Sequence, residues 1–305
     1  MRILVTGSNG LLGQKLVAAL KHDPEVQLIA TSRGDDRTPV PSGYTYTPLD
    51  CTVAEQVLTV LRDHRPDAII HTAAMTNVDA CELEPAECRR QNVQSVENLC
   101  NAAKTIDSHL IHLSTDFIFD GEAGPYSEED EPRPLSIYGQ SKLDAERAVM
   151  NAGLRRWAVA RTIIVYGIAP GLSRSNVVLW AKSALEKGEP IKVVHDQWRM
   201  PTLAEDLADG CIAIAKERAT GIYNLSGPDG MSILELVQRV GKFFGLDISV
   251  VRPVDSASLN QPAKRPPRTG FVLDKAVRDL GYAPRGFEAG LAVLKTQLAE
   301  VKGQP

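Results

Sequence analysis

Short apolar runs alternate with amphipathic segments along the first half of the chain. Most of the runs are apolar throughout, as in parallel strands that are buried on both faces. The segments between them repeat apolar residues at helical spacing. The strand-like runs are 2–6, 26–31, 44–49, 68–71, 109–114 and 157–161, and the helix-like segments are 11–21, 53–63, 84–105 and 136–151. This alternation predicts an α/β fold, in which helices cover both faces of a doubly wound parallel sheet.

The second half of the chain is less regular. Its predicted helices lie near 177–187, 203–216 and 232–244, and its predicted strands lie near 191–194 and 221–225. A proline-rich acidic stretch at 122–135 is long enough to favour a functional loop. Residues 252–270 are rich in proline and basic side chains. We interpret these later segments as a smaller lobe over the open edge of the sheet.

Three glycines follow the first predicted strand. Gly7, Gly10 and Gly13 stand between strand 2–6 and helix 11–21. Glycine at these positions permits a tight turn and lets the backbone approach a pyrophosphate at the positive end of the helix. The position of this turn at the start of a strand–helix–strand unit predicts a dinucleotide site. A plain glycine-rich turn is the alternative.

The residue that follows the second strand favours one dinucleotide. An acidic residue there binds the 2′-hydroxyl of the adenine ribose, whereas a cation suits a 2′-phosphate. The sequence reads Thr31-Ser32-Arg33, so NADPH is favoured. NADH stays open, because Asp35 or Asp36 could still bind the ribose.

A tyrosine and a lysine are spaced for one helix face. Tyr138 and Lys142 lie four residues apart in helix 136–151, so the phenol and the ammonium can meet the same ligand. A free tyrosine has a pKa of about 10, and a neighbouring cation lowers it toward the working range of an acid–base catalyst. Thr115 follows strand 109–114 at the carboxyl edge of the sheet, where such sheets bind ligands.

Several segments match the motifs of one enzyme family. They are TGSNGLLG (6–13), AAMTNVDACE (73–82), LSTDFIFDG (113–121), YGQSK (138–142), DQ (196–197), PT (201–202) and KRP (264–266). On these segments, nearly the whole chain resembles the extended short-chain dehydrogenase/reductases, and among them the dTDP-4-dehydrorhamnose reductase family. The resemblance implies a Rossmann-type sheet and the NAD(P)H-dependent reduction of a 4-keto-6-deoxy sugar carried on a nucleoside diphosphate.

The resemblance also implies residue roles. Tyr138 donates a proton to the sugar C4 oxygen as hydride arrives, and Lys142 tunes Tyr138 and holds the nicotinamide ribose. Thr115 hydrogen-bonds the keto oxygen, assisted by Asp116. The cofactor-binding residues, with Arg33 included, are Gly7, Asn9, Gly10, Leu11, Leu12, Gly13, Arg33, Asp50, Ala73, Ala74, Thr76, Tyr138 and Lys142. The substrate-binding residues are Thr76, Val78, Asp79, Thr115, Asn176 and Arg265. For Asp50 and Thr76, ordinary capping of a strand end is the alternative.

Two interleaved domains are expected. Residues 1–170 and 191–225 form the NAD(P)-binding Rossmann domain, and residues 171–190 and 226–305 form the substrate-binding lobe. The chain departs from the family pattern near this lobe. Ile164 stands where the family carries a tryptophan, which removes a stacking surface. Arg199 replaces the glycine of the family's DQxGxPT motif.

These departures keep other functions open. The regulatory subunits of methionine adenosyltransferase resemble the same family, so a non-catalytic binding protein of this fold is one alternative. A reductase of another carbonyl compound is a second. A sugar-nucleotide 4,6-dehydratase is disfavoured, because those enzymes place an Asp-Glu pair after the threonine, whereas Asp116 is followed here by Phe117.

Composition narrows the classes of partner. The chain carries 34 Lys and Arg against 38 Asp and Glu, and a net charge of −4 disfavours a nucleic-acid or membrane binder. No apolar run reaches the roughly 18–20 residues of a membrane helix, so a cytoplasmic protein is expected. The five cysteines lack metal-site spacing, so free thiols and no metal are expected. His109 and His112 lie in an apolar strand and are interpreted as structural. The expected partner is a small nucleotide sugar, and pairing of two copies stays open.

Overall fold

The computed structural model describes residues 1–38, 41–172 and 175–302. The strands are β1 (Arg2–Thr6), β2 (Gln27–Ser32), β3 (Thr45–Pro48), β4 (Ala68–His71), β5 (His109–Thr115), β6 (Trp157–Thr162), β7 (Val165–Tyr166), β8 (Ile191–Val194), β9 (Trp198–Arg199), β10 (Thr202–Leu203), β11 (Gly221–Asn224), β12 (Met231–Ser232) and β13 (Val251–Val254). The helices are α1 (Leu11–Leu20), α2 (Ala54–His64), α3 (Val78–Leu83), α4 (Pro85–Arg89), α5 (Ser95–Ile106), α6 (Ile137–Asn151), α7 (Val177–Lys187), α8 (Ala204–Glu217), α9 (Ile233–Phe244), α10 (Asp274–Leu280) and α11 (Phe287–Lys302).

Seven strands form one parallel sheet in the order β11-β6-β5-β4-β1-β2-β3. The predicted α/β fold is therefore confirmed. The chain order reverses between β1 and β4, so the loops that follow these two strands diverge and open a crevice at the carboxyl edge of the sheet.

Two hydrophobic cores cover the two faces of the sheet. On one face α1, α8 and α10 pack through Leu16, Leu207 and Ala276, and on the other α2, α5 and α6 pack a separate core. In β1, Ile3 enters the first core and Leu4 the second, and both are fully buried. Each such side chain stabilises the fold by about 1.5–3 kcal/mol. Burial on both faces explains the unbroken apolar run at 2–6.

A third core builds the smaller lobe. Side chains of α7, α9 and α11, including Val178, Leu236 and Leu291, surround a two-stranded parallel sheet of β8 and β13. The sequence pattern predicts residues 191–225 in the nucleotide-binding domain. The pairing instead places residues 191–194 in the lobe, while α8 and β11 pack with the large sheet. A short apolar strand suits either sheet, so its sequence pattern does not identify its partner.

The predicted helix at 84–105 is interrupted. Residues 90–94 form a π-helical turn between α4 and α5. One extra residue in this turn shifts the helix face, and π-helical turns frequently lie at functional sites. Asn92, inside the turn, is buried and points toward the crevice loops.

Candidate active site

Two clefts of about 200 and 560 Å³ meet at the carboxyl edge of the sheet, and Gly10, Thr72 and Ala74 line both. Of the predicted site residues, the smaller cleft is lined by Gly7, Arg33, Asp50 and Ala73. The larger cleft is lined by Leu11, Leu12, Gly13, Thr76, Val78, Thr115, Asp116, Tyr138, Lys142 and Arg265. The fold thus assembles the glycine turn and the four candidate catalytic residues along one continuous groove.

The glycine turn lies close against the neighbouring backbone. Gly7 has a φ of +67°, and a Cβ there would lie 2.8 Å from the Ala73 nitrogen. A Cβ on Gly13 would lie 2.2 Å from the Gly7 carbonyl oxygen. Gly10 caps α1 without a side-chain hydrogen bond, and the first turn of the helix holds no acidic residue. The first amides of α1 are therefore available to an anion, which fits the pyrophosphate of a dinucleotide.

Arg33 and Asp50 lie on the wall of the smaller cleft. Burial opposes ionisation of Asp50, but hydrogen bonds from the Thr52 amide and hydroxyl (2.9 and 2.7 Å) and the charge of Arg33 lower its pKa. Asp50 is therefore ionised and already bonded to its own loop. The exposed guanidinium of Arg33 is the group here that suits a 2′-phosphate.

Tyr138 is brought to Thr115 by close packing of α6 on the loop after β5. The Ser136 side chain caps α6, and Gly139 lies against the Phe117 carbonyl, where a Cβ would come within 2.2 Å. Tyr138 and Thr115 both line the larger cleft. Burial raises the pKa of Tyr138, although the neighbouring Thr115 side chain acts in the opposite direction. Burial therefore outweighs the lowering of this pKa that the sequence predicts from Lys142, and the phenol is protonated at neutral pH.

Lys142 lies beneath the cleft and is 3% exposed. Its Nζ donates a hydrogen bond of 2.6 Å to the Leu113 carbonyl and lies 3.2 Å from His112 Nε2. Burial lowers the pKa of Lys142 to about 8, while the charge of Glu146 acts to raise it. The ammonium is therefore charged at neutral pH and close to its titration point.

Asp116 joins the catalytic loop to the smaller lobe. Its carboxylate accepts hydrogen bonds from Thr115 Oγ1 at 3.1 Å and from Thr269 Oγ1, and lies 3.5 Å from Arg199 Nε. Burial raises the pKa of Asp116, and the charge of Arg199 opposes that rise. The Arg199 guanidinium also donates to the carbonyls of Trp198, Pro266 and Pro267, so it holds the loop over the cleft.

Comparisons with known proteins agree with this geometry. A family model described as the RmlD substrate binding domain matches residues 1–300. The chain belongs to this family. A crystal structure of dTDP-4-dehydrorhamnose reductase from Bacillus anthracis in complex with NADP has a TM-score of 0.84 and 28% identity, and the match covers 97% of this chain and 99% of that one.

Two curated relatives of the RmlD-family chain carry different names. A probable dTDP-4,6-dihydroxy-2-methyloxan-3-one 4-ketoreductase from Streptomyces antibioticus is 33% identical over 93% of this chain and 90% of that protein. Methionine adenosyltransferase 2 subunit beta from Rattus norvegicus is also 33% identical, over 93% of this chain and 84% of that protein. Sequence identity alone therefore does not separate the two functions.

Several predicted residues of this RmlD-family chain have other tasks in the structure. The Asn9 side chain donates a hydrogen bond to the Asp35 carbonyl and accepts one from the Arg37 amide. These two bonds hold the loop after β2. Asn176 caps α7 and donates to the Gly167 carbonyl at 2.7 Å. Neither residue lines the two clefts. Their assignments as cofactor and substrate ligands stay predictions.

Asp79 and Arg265 form an ion pair beside the larger cleft. The guanidinium donates to both carboxylate oxygens, at 3.1 and 2.7 Å, and Arg265 lines the cleft. The pair joins the start of α3 to the loop before α10. The predicted substrate-binding residue Arg265 thus lines the larger cleft with its guanidinium already paired with Asp79.

Asn92 is a site residue that sequence reasoning missed. Its side chain accepts a hydrogen bond from the Met75 amide (2.7 Å) and donates to the Met75 carbonyl (3.0 Å). It also donates to Ser141 Oγ at 3.0 Å, on the helix of Tyr138 and Lys142. Asn92 therefore ties the loop that lines the cofactor groove to the catalytic helix. The π-helical turn that orients Asn92 cannot be recognised from the helical spacing of residues 84–105.

Within residues 1–38, 41–172 and 175–302, we find no group of three or more His, Cys, Asp or Glu side chains arranged around a metal position. None of the helices in those residues has both the length and the apolar character of a membrane span. The five cysteines are free and buried.

Proposed function

We propose that this protein is an NAD(P)H-dependent reductase of a nucleotide-linked 4-keto-6-deoxy sugar, similar to dTDP-4-dehydrorhamnose reductase. The observation that carries the proposal is the convergence of Thr115, Tyr138 and Lys142 in the cleft that begins at the glycine turn. The uncapped start of α1 supports it, since it suits the pyrophosphate of the cofactor. So do the ketoreductase and NADP-bound reductase relatives.

The proton step uses Tyr138 and Thr115. NADPH, when bound, supplies the hydride that reduces the keto carbon. The Tyr138 hydroxyl donates its proton to the keto oxygen, which is possible because burial keeps the phenol protonated. The hydroxyl of Thr115 turns from Asp116 to donate a second hydrogen bond to the same oxygen. Both donors then stabilise the charge that develops on the oxygen.

Lys142 acts from below the groove. Its ammonium holds the ribose of the nicotinamide half of the cofactor and stabilises the Tyr138 phenolate that remains after proton transfer. Arg33 binds the 2′-phosphate at the far end of the groove, which favours NADPH over NADH. Arg265 binds the diphosphate of the sugar nucleotide.

The test is NADPH oxidation with dTDP-linked 4-keto-6-deoxy sugars, followed by absorbance. We expect turnover by the wild type and a loss of about 10²–10⁴-fold in kcat for Tyr138→Phe, with NADPH affinity retained. Equal rates for the two proteins would remove Tyr138 from the mechanism. Absence of turnover with any such sugar, alongside normal NADPH binding, would overturn the substrate assignment and leave a reductase of another carbonyl compound or a non-catalytic subunit.

A second candidate function is a non-catalytic subunit that acts on a partner. The 33% identity to methionine adenosyltransferase 2 subunit beta favours it, as do Ile164 and Arg199 in the larger cleft. Size-exclusion chromatography with a methionine adenosyltransferase catalytic subunit tests this candidate. A stable complex without sugar-nucleotide turnover would favour the subunit, and a free protein with turnover would exclude it. Pairing of two copies and a cytoplasmic location stay predictions.

A further inference from the structure

Two buried imidazoles lie beneath Lys142, and the proposed mechanism does not use them. His71 of β4 and His112 of β5 are register partners, and their rings stack with centroids 5.5 Å apart. Both side chains are buried, at 1% exposure. His71 Nδ1 lies 2.7 Å from Thr6 Oγ1, whereas His112 Nε2 lies 3.2 Å from Lys142 Nζ. A polar row thus crosses three strands and ends at the catalytic lysine.

The lysine determines the tautomer of His112. A lysine ammonium carries three N–H donors and no acceptor, so the Nε2 atom beside it must offer its lone pair. The proton of neutral His112 therefore sits on Nδ1. Burial, with the charges of Lys142 and His71, lowers the pKa of His112 well below its ordinary value, so the ring is neutral. A neutral imidazole is an acceptor that keeps its lone pair across the working pH range.

Other groups around Lys142 do not supply the same contact. The titratable groups that face it are His112 of β5, His71 of β4, Glu146 of its own helix, and the thiols Cys81 and Cys88 of α3 and α4. Glu146 is bound by both ends of the Arg161 guanidinium, at 3.0 and 2.8 Å. Its charge is already compensated, so the short-range acceptors of the ammonium are the Leu113 carbonyl and His112.

We propose that His112 is a positioning residue for the reaction: with the Leu113 carbonyl it fixes two N–H bonds of the Lys142 ammonium, and the third is directed into the cleft. The ammonium has tetrahedral geometry, so two fixed acceptors determine the direction of the remaining donor. In the proposed function, that donor binds the ribose of the nicotinamide half of the cofactor. The catalytic role of His112 therefore rests on the proposed function. A hydrogen bond to the charged form also favours that form.

The test compares three substitutions of His112 in the full chain. His112→Leu removes the acceptor, His112→Gln places an amide oxygen at the former position of Nε2, and His112→Asn places it at that of Nδ1. His109→Leu is the matched control, because His109 is equally buried on the same strand and faces away from Lys142. The ¹³Cε signal of Lys142, assigned with Lys142→Met, is titrated by NMR in the protein without ligands.

We expect the pKa of Lys142, about 8 in the wild type, to fall in His112→Leu and His112→Asn, because the charged form loses a hydrogen-bond acceptor. His112→Gln and His109→Leu should keep the wild-type value. The pH at which NADPH affinity declines, measured by fluorescence, should move in parallel. A folded His112→Leu protein with unchanged Lys142 titration would overturn the inference.

Two further outcomes are decisive. If His112→Leu does not fold, as judged by thermal unfolding, the Gln and Asn variants carry the comparison, and equal Lys142 titrations in both contradict the inference. If the wild type turns over no sugar nucleotide, the proposed function fails. The Lys142 titration still reports on His112, because it needs neither substrate nor cofactor.

Discussion

At the scale of single residues, charge is placed locally in a chain that is acidic overall. Arg33 is exposed at the smaller cleft, while Lys142 and Arg199 are buried along the larger one. Each buried cation has specific oxygen or nitrogen acceptors, and Arg33 is the one open to solvent. A net charge of −4 conceals this arrangement, because net charge carries no position.

Arg33→Ala tests the cofactor preference. We expect NADPH affinity to fall about tenfold and NADH affinity to stay unchanged, since the guanidinium pairs with a phosphate that NADH lacks. Titration of each cofactor by fluorescence checks this. Arg147→Ala is the control, because Arg147 is exposed and lines neither cleft. An equal loss for NADPH and NADH would contradict the assigned role.

The catalytic pair shows where residue-level prediction stops. The spacing of Tyr138 and Lys142 on one helix is visible in the sequence, as is the threonine after a strand. Their surroundings are not visible, because His112 of β5 contacts Lys142, and Asn92 of a π-helical turn bonds Ser141 on the same helix. Burial by the whole fold, which no local pattern records, raises the pKa of Tyr138 and lowers that of Lys142.

At the scale of elements, the turn between β1 and α1 depends on backbone contact. Gly13 packs on the Gly7 carbonyl, so the first turn of α1 and the end of β1 approach as closely as two main chains allow. This contact orients the free backbone amides of the first turn of α1 along the groove. The glycine spacing predicts the contact well, because both partners lie within one strand–turn–helix unit.

Gly13→Ala therefore should disrupt both stability and cofactor binding. The added Cβ meets the Gly7 carbonyl at 2.2 Å, and we expect unfolding free energy to fall by about 1–3 kcal/mol. NADPH affinity should fall as well, because the turn must move. Gly230→Ala is the control, since its Cβ would meet Met200 at an ordinary 3.9 Å. Urea unfolding of both variants checks the prediction, and equal stabilities would contradict it.

At the scale of the whole molecule, Arg199 connects the two lobes. It belongs to β9, bonds the loop at 266–267, and pairs with Asp116 beside the catalytic threonine. In the sequence, Arg199 stands out only as a departure from a family motif. Asp116 and the loop at 266–267 lie more than sixty residues away from Arg199 along the chain, on opposite sides. Only the folded chain brings them into contact with Arg199. The strand at 191–194 likewise pairs with a strand far along the chain, at 251–254, so its sequence does not reveal its domain.

Arg199→Ala leaves a buried carboxylate without its cation. We expect the unfolding free energy to fall by about 3 kcal/mol and activity to fall with it, because Asp116 bonds Thr115. Urea unfolding measures the first effect. Arg278→Ala removes an exposed pair with Asp279 and should change stability by less than about 1 kcal/mol. If the two substitutions lower the free energy of unfolding by the same amount, Arg199 does not join the lobes.

The central claim is hydride transfer to a keto carbon with Tyr138 as proton donor. The most direct measurement is mass spectrometry of the sugar product after reaction with NADPH that carries deuterium at the nicotinamide C4. The account predicts one deuterium on the sugar C4 carbon with the wild type, and almost none with Tyr138→Phe over the same time. A product without deuterium, or equal labelling by the two proteins, would contradict it.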